Sequence, residues 1–196
     1  MWKQRILDFA ERFQHPAWGV AHCKRVYELS LQLAKLEKVE VDQDALFAAA
    51  YLHDAGAFAP YRQEGIDHAE RSVQVVDEIL ADAGFPADRA PLVKEIIQGH
   101  MFYADPSPRA EVVIFHDADT LDFMGAIGIA RLLSIVGIDD WAPDLGSAIQ
   151  LIQRFSRELP EKLHTAAAQE MGRARQAEMA AYLAALTDET GGLETL

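Results

Sequence analysis

The sequence predicts an all-α fold in which a bundle of helices forms a single domain. Apolar residues recur with the helical period of about 3.6 along nearly all of the 196 residues, and no convincing run alternates with the period of two that is typical of a strand. Stretches that contain Pro and Gly, such as "AGFP" and "DPSP", separate these periodic segments. A content of 50% hydrophobic and 25% charged residues is ordinary for a chain that buries a hydrophobic core.

Five helices are predicted in the first half of the chain. Pro16 ends the first helix, Asp42 is an N-cap for the third, and Gly56 in the segment "LHDAG" is its expected stop. Asp67 with Glu70 forms a capping-box-like start for the fourth helix. The predicted helices cover about 2–13, about 17–37, Asp42 to the segment "LHDAG", about 67–82 and about 87–100.

Four further helices are predicted in the second half. Pro106 and Pro108 belong to the loop "MFYADPSP", after which the chain returns to helix from Arg109 and is expected to break near 122–125. The remaining predicted segments are helices at about 143–158 and about 161–186 and a polar tail, 187–196, that we expect to be frayed. Because no internal repeat or low-complexity linker divides the chain, residues 1–186 are expected to form one domain.

Charge and composition exclude several classes of partner. The chain has 18 basic against 31 acidic side chains, a formal net charge of −13, whereas binding to a nucleic-acid polymer needs clustered Lys and Arg. A small anionic substrate stays compatible with this charge, because a bound cation reverses the local field. We therefore expect no nucleic-acid polymer among the partners.

The sequence also favours a cytoplasmic protein without a membrane partner. The most apolar stretch, 123–138, contains Arg131 and is shorter than a membrane span requires. Arg131 is either a buried ion-paired residue or a substrate contact. The single Cys23 excludes an internal disulfide and fits a reducing compartment, and the N-terminus lacks the apolar core of a signal peptide.

Several His and Asp residues lie on the apolar faces of the predicted helices, where they point toward the core. Burying that many polar groups without partners costs several kcal/mol each, roughly, whereas one divalent cation compensates imidazole nitrogens and carboxylate oxygens together. Mixed His and Asp ligands suit Mn, Fe, Ni or Zn better than Ca. The inward residues are His22, His53, His68, His100 and Asp119, together with Asp54 beside His53.

The adjacent pair His53-Asp54 is the unusual part of this pattern. Neighbours on a regular helix diverge by about 100°, so both side chains reach one ion only where the helix loosens. Gly56 follows at that point.

The order of these residues in an all-helical chain resembles the HD-domain superfamily of metal-dependent phosphohydrolases, in particular its small stand-alone members. The segments "HCKRV" and "LHDAG" are similar to the His-x-x-Arg-Val and Leu-His-Asp-x-Gly motifs of this superfamily. "HAERSVQVVDEILADAG" and "EIIQGH" resemble its two later His-bearing helices, and "DADTLDFMGAIGIAR" resembles its closing Asp segment. The resemblance covers residues of about 18–135, and we expect this segment to be the core of the domain. The C-terminal helices at 143–186 lie outside the resemblance.

The resemblance implies a metal site and a role for each of its residues. The implied ligands of one divalent ion, which is Mn, Ni, Fe, Mg or Zn, are His22, His53, Asp54 and Asp119. Asp117 is the alternative to Asp119 as the fourth ligand. If Asp119 is the ligand, Asp117 is expected to lie in the shell around the ligands. His68 and His100 correspond to positions that bind a second metal or contact substrate phosphate, with hydrogen-bonded core histidines as the alternative.

The implied reaction is hydrolysis of a phosphate ester or anhydride by attack of metal-bound water on phosphorus, with Asp54 as a ligand that also orients the water. Developing charge on phosphorus requires cations nearby. Arg25 is the first candidate for binding phosphate, followed by Arg71 and Lys94; for all three a solvated surface position is the alternative.

The substrate that the resemblance implies is a small phosphorylated compound, and a nucleotide is the first candidate. No Gly-Tyr-Pro follows the site, and "HDAGAFAP" lacks a Glu-Asp pair, which disfavours cyclic dinucleotides and guanosine alarmones as substrates. The remaining hypothesis is a nucleoside triphosphate pyrophosphohydrolase or phosphatase that is a monomer or a homodimer. Two alternatives stay open: an HD-fold di-iron oxygenase of a small organic substrate, and a non-catalytic module that binds metal or nucleotide.

Overall fold

Helices form where the apolar period predicts them and end where the caps and loops interrupt it. The structure is a computed structural model that describes residues 1–193, and in that range it contains nine α-helices and no strand. The all-α prediction is therefore confirmed. The helices are α1 (Trp2–Ala10), α2 (Val20–Glu37), α3 (Gln43–Leu52), α4 (His68–Ala83), α5 (Ala90–Gly99), α6 (Ala110–Asp122), α7 (Gly125–Ser134), α8 (Leu145–Glu158) and α9 (Ala166–Thr190).

Two predicted N-caps define the helices that carry the site. Asp42 Oδ1 accepts hydrogen bonds from the backbone N–H groups of Asp44 and Ala45, both at 3.0 Å, at the start of α3. Asp67 Oδ1 accepts from the N–H groups two and three residues ahead, at 2.8 and 3.4 Å, at the start of α4. Each carboxylate thus satisfies N–H groups that have no partner within the helix.

The last helix begins and ends later than the sequence suggests. Residues Leu159–Lys162 form a 3₁₀ helix, and Thr165 then caps α9, which continues to Thr190. Residues 187–190 of the expected polar tail therefore belong to a helix, and residues 194–196 of that tail lie outside the described residues.

The chain divides into two compact units, of which the first comprises residues Met1–Asp119. Helix α3 is its centre: it is buried from Ala45 to Leu52 and packs against α1, α2, α4 and α5. Its four alanines allow neighbouring helices to approach closely, and its Leu and Phe side chains fill the space between them. The C-terminal end of α3 is therefore held in the interior of this unit.

The second unit comprises residues Thr120–Leu196 and is built on α7, α8 and α9, each of which packs against the other two. Arg131 is buried in this unit, where its guanidinium lies 2.9 Å from an Asp122 carboxylate oxygen and 4.4 Å from the centre of the Phe123 ring. Of the two sequence-based alternatives for Arg131, the structure thus supports the buried ion pair. Across residues 1–193, none of the helices combines the length and the apolar character needed to span a bilayer.

Gly56 differs from the expectation that it ends α3. Helix α3 already ends at Leu52, and Gly56 lies in a 3₁₀ helix, Ala55–Ala57, that rests directly on α4. The Gly56 N–H donates to Ser72 Oγ at 2.8 Å, and a Cβ atom at Gly56 would approach Ser72 N to 2.6 Å and clash with the His68 carbonyl oxygen. Glycine is required here because two backbones meet.

This contact yields a prediction about stability. Gly56→Ala should lower the free energy of unfolding by about 2–3 kcal/mol, because the added methyl group must push α4 away. Urea denaturation measures the change. Gly65→Ala is the control: Gly65 has a φ of +79° in open space, so this variant should lose only about 1 kcal/mol from backbone strain. Equal losses in the two variants would contradict the close-approach explanation.

Candidate metal centre

The end of α3 explains how two adjacent residues face the same point. His53 still has helical backbone angles, whereas Asp54 has left the helix with φ of −96° and ψ of 6°. The two side chains therefore converge, and His53 Nε2 lies 3.2 Å from Asp54 Oδ2. The helix thus loosens at His53-Asp54, as expected from the sequence for two adjacent ligands.

Three of the predicted ligands meet from three helical segments. His22 on α2, His53 after α3 and Asp119 on α6 place one ligand atom each within 4.8 Å of the others. His22 Nε2 lies 3.1 Å from His53 Nε2 and 3.3 Å from Asp119 Oδ1. Their exposed fractions are 2%, 1% and 2%, so water does not solvate this cluster.

Asp54 joins this cluster to a second group of histidines. Its Oδ2 atom faces His53 and lies 3.7 Å from His22 Nε2. Its Oδ1 atom lies 3.5 Å from His68 Nε2 and 4.0 Å from His100 Nε2. One carboxylate thus faces four imidazole rings, and His53, Asp54 and His100 form a second triplet of suitable ligand atoms.

Backbone carbonyl groups orient two of the rings. His53 Nδ1 lies 2.9 Å from the Ala50 carbonyl oxygen, and His100 Nδ1 lies 2.6 Å from that of Ile97. A carbonyl oxygen only accepts, so in these bonds Nδ1 is the donor. In the neutral ring, Nε2 then keeps its lone pair and points into the cluster, which is the arrangement that metal-ligating histidines adopt.

The hydrogen-bond inventory of the site fits a cation. Among the described residues, His100 Nε2 and Asp119 Oδ1 are buried atoms for which no hydrogen bond forms. Leaving such acceptors unsatisfied costs about 1–3 kcal/mol each, and more for a charged group. A divalent ion would compensate both, and imidazole nitrogens with carboxylate oxygens are ligands typical of Mn, Fe, Ni or Zn. The cluster could therefore hold a divalent metal ion.

The pKa values of the two central histidines shift in opposite directions. Burial alone would lower the pKa of His53, but the charge and hydrogen bond of Asp54, together with Asp119, raise it to about 9. Burial and the neighbouring charge of His53 together lower the pKa of His100 to about 4, because they outweigh the opposite effect of Asp119 and Asp54. In the metal-free protein a proton on His53 therefore supplies the positive charge that the site lacks.

Both carboxyl groups stay ionised in these surroundings. Burial raises the pKa of Asp54, but the charges of His53, His68 and His22 outweigh it and hold the pKa well below the usual value. For Asp119, burial likewise raises the pKa, and the interaction with the neighbouring His22 reverses the effect. One buried and one half-buried anion beside imidazole lone pairs are an arrangement that attracts a cation.

The other predicted site residues lie outside this cluster. Asp117 is buried two residues before Asp119, but it belongs to neither triplet of ligand atoms. Arg25 is half-buried on α2, one turn after His22. The Arg71 guanidinium donates to the Tyr61 carbonyl oxygen at 2.6 Å, and the Lys94 ammonium lies 2.7 Å from an Asp77 carboxylate oxygen.

Sequence reasoning missed the contacts between two residues at the edge of the site. The Tyr103 hydroxyl donates to Asp67 Oδ2 at 2.7 Å, and the same oxygen lies 3.8 Å from His68 Nδ1. The sequence places Tyr103 only in the loop "MFYADPSP" and Asp67 only at a helix cap. A pairing across 36 residues carries no periodic signal in the sequence.

A family model described as HD domain matches residues 19–124, which is more than half of the chain. Among curated proteins, none matches this sequence.

Solved structures match along nearly the whole length. Bacillus subtilis YpgQ in complex with ADP is 24% identical, with 98% of this chain and 100% of that chain covered and a TM-score of 0.71. A protein from Lactobacillus plantarum is 25% identical, with 97% of each chain covered and a TM-score of 0.72. A predicted HD superfamily hydrolase from an uncultured Thermotogales bacterium is also 25% identical, with 96% and 90% covered and a TM-score of 0.65.

The opposite pKa shifts predict how the stability of the metal-free protein depends on pH. His53 has a folded pKa of about 9, above its ordinary value of 6.5, so its contribution is complete below pH 6.5 and is lost as the pH rises through 9. His100 has a folded pKa of about 4, so its contribution is lost as the pH falls from 6.5 through 4. With a chelator present, urea denaturation should show stability falling on both sides of pH 6.5.

The alkaline decrease should be smaller in His53→Gln, because the titrating group is gone. His164→Gln, a variant of an exposed histidine, is the control and should keep the wild-type pH dependence. An unchanged alkaline decrease in His53→Gln would show that another group causes it.

Proposed function

This chain belongs to the HD domain family and has the fold of HD-superfamily hydrolases, and on this premise we propose that it is a metal-dependent phosphohydrolase. Its substrate is a small phosphorylated compound, with a nucleotide and above all a nucleoside triphosphate as the first candidate. One observation carries the proposal: the Asp54 carboxylate lies among four imidazoles beside buried atoms that lack a hydrogen bond.

The proposed ligands of the ion follow from the two triplets of ligand atoms. We assign His22, His53, Asp54 and Asp119 to one metal, because their Nε2 and carboxylate oxygen atoms face one another at distances of 3.1 to 3.9 Å. The geometry favours Asp119 over Asp117, since Asp119 Oδ1 faces both imidazoles. A six-coordinate ion such as Mn²⁺, if held by these four residues, would keep positions for water and substrate.

A divalent ion held by these residues would lower the pKa of a bound water and polarise a phosphoryl oxygen. Asp54 is suited to orient the attacking water, because its Oδ1 atom faces the second group of histidines while Oδ2 faces the first. His68 is 24% exposed at its side chain, so a substrate phosphate can approach it from solvent. Arg25 is the proposed further phosphate contact on α2.

Lys94 and Arg71, the other two predicted cations, contact neighbouring groups of the protein. The Lys94 ammonium already contacts the Asp77 carboxylate at 2.7 Å on the surface of α4 and α5. Arg71 uses its guanidinium to hold the Tyr61 carbonyl oxygen and the Gln74 side chain. These contacts give Lys94 and Arg71 structural roles that compete with phosphate binding.

The nucleotide as substrate is supported by one structural relative. YpgQ from Bacillus subtilis was crystallised with ADP, and its fold matches this chain along the full length. Attack of water on phosphorus would also hydrolyse phosphomonoesters. The substrate test therefore includes both nucleotides and phosphomonoesters.

A second candidate function is supported by the position of Asp54. A carboxylate whose two oxygens face separate groups of histidines is suited to bridge two metal ions, and His68 and His100 would supply ligands for the second. An HD-fold di-iron oxygenase of a small organic substrate would use this arrangement. It differs from the hydrolase in its requirement for two irons and molecular oxygen.

The substrate class is tested with a panel of nucleoside mono-, di- and triphosphates and phosphomonoesters. With Mn²⁺ present, we expect release of phosphate or pyrophosphate from at least one nucleotide, and loss of that activity with a chelator. Metal content by mass spectrometry and oxygen consumption are measured in parallel. Two irons per chain with oxygen uptake and no phosphate release would instead establish the oxygenase.

The ligand assignment is tested with two neighbouring carboxylates on α6. Asp119→Asn should weaken metal binding, measured calorimetrically, by at least about 100-fold, because it removes an anionic ligand from a buried site. Asp117→Asn should keep metal affinity within about tenfold, since Asp117 is outside both triplets. A larger loss of metal affinity in Asp117→Asn than in Asp119→Asn would make Asp117 the ligand.

Asp54→Ala should abolish metal binding and hydrolysis while leaving the helical circular dichroism unchanged.

A further inference from the structure

The Asp67 carboxylate has two separate sets of partners. Its Oδ1 atom caps α4 through the N–H groups of Ala69 and Glu70. Its Oδ2 atom accepts a hydrogen bond from the Tyr103 hydroxyl at 2.7 Å. Oδ1 therefore accounts for the helix cap, and the contact of Oδ2 with Tyr103 must have another role.

His68, the first residue of α4, lies between two carboxylates. Its Nδ1 atom is 3.8 Å from Asp67 Oδ2, and its Nε2 atom is 3.5 Å from Asp54 Oδ1. Both contacts lie outside hydrogen-bond distance but within the range of charge interaction. The line of polar groups runs from Tyr103 through Asp67 and His68 to Asp54.

The buried rings in the same site are oriented differently. Backbone carbonyl oxygens fix His53 and His100 through Nδ1 at 2.9 and 2.6 Å, and both rings are fully enclosed. His68 is partly exposed, and of its two ring nitrogens Nδ1 faces the Asp67 side chain instead of a carbonyl oxygen. The orientation of this ring therefore depends on where the Asp67 carboxylate points.

Tyr103 limits the rotation of that carboxylate. It lies in the loop between α5 and α6 and is 54% exposed, yet its hydroxyl reaches the start of α4. A side chain as exposed as Asp67 otherwise samples several rotamers, and an additional hydrogen bond selects one of them. The bond also ties the loop 100–109 to the helix that carries His68.

We propose that Asp67 and Tyr103 are positioning residues that hold the His68 ring toward Asp54 in the reactive site. The proposal rests on the function proposed above, because it assigns His68 a contact with the substrate phosphate or with a second metal. Neither Asp67 nor Tyr103 needs to touch the substrate for this role. Groups that orient a functional histidine from behind typically affect affinity or activity by about 10–100-fold.

The first test uses the hydrolytic activity of the full chain. Tyr103→Phe, which removes only the hydroxyl, and Asp67→Asn, which keeps a good N-cap residue, should each lower kcat/KM by about tenfold. The midpoint of thermal unfolding should change by less than about 2 °C in both. Asp144→Asn is the matched control: it changes the N-cap of α8, whose Oδ1 accepts from Ser147 N at 2.7 Å, and should leave kcat/KM unchanged.

A double-mutant cycle identifies His68 as the group that is positioned. In a His68→Gln background, adding Tyr103→Phe should change kcat/KM by less than about twofold, because the ring that it orients is gone. A full tenfold loss in that background would overturn the proposal, since Tyr103 would then act independently of His68.

The second test does not depend on turnover. In ¹⁵N nuclear magnetic resonance spectra of the full chain, the ring signals of His68 are assigned by their absence in His68→Gln. Tyr103→Phe and Asp67→Asn should shift the Nδ1 signal of His68 and leave that of His164 in place. If no substrate is hydrolysed but these shifts occur, the proposed function fails and the positioning role stands. If hydrolysis occurs but neither the shift nor the coupling does, the positioning role is wrong.

Discussion

Compensation of buried charge is the constraint on which the site depends. The Asp54 carboxylate, which is half-buried, and the Asp119 carboxylate, which is buried, lie among imidazole rings. Without a positive charge among them, the two anions would repel each other in a medium of low dielectric constant. The carboxylates raise the pKa of His53 to about 9, which is the direction expected where a proton on this ring balances their charge. A divalent ion would replace the proton and also satisfy the atoms that lack hydrogen bonds.

The fold meets this constraint by ending one buried helix at the right place. Helix α3 is enclosed by four neighbouring helices, so its C-terminal end delivers His53 and Asp54 into the interior. The backbone then turns through a 3₁₀ helix, and the missing side chain of Gly56 lets that turn rest on α4. Because α4 begins with His68, the same close contact that packs the turn sets the distance between Asp54 and His68. Packing and site geometry are therefore two consequences of one glycine.

The sequence predicts most of this arrangement, because most of it follows from helical phase. Period and caps place the helices, and the inward faces of those helices select His22, His53, His100 and Asp119 without any knowledge of their contacts. Phase alone does not separate Asp117 from Asp119, since both fall on plausible faces of α6. The distances from Asp119 Oδ1 to His22 and His53 favour Asp119 in the proposed site. The roles of Lys94 and Arg71 depend on partners in other segments, and the bond between Tyr103 and Asp67 depends on the path of a loop. Loop paths are set by tertiary packing, which leaves no period in the sequence to detect.

The distribution of positive charge explains why a metal, and not a cluster of basic side chains, suits this site. The chain carries a formal net charge of −13, and several of its cations are engaged with acidic side chains, as Lys94 is with Asp77, Arg89 with Asp44 and Arg131 with Asp122. The proposed substrate phosphate would approach Asp54 in an acidic protein, where the nearby carboxylates would repel it. A divalent ion held by neutral imidazoles would balance the two negative charges of the Asp54 and Asp119 carboxylates, so a phosphate would meet a neutral site instead of two anions. The overall acidity of the chain and an anionic substrate are compatible for this reason.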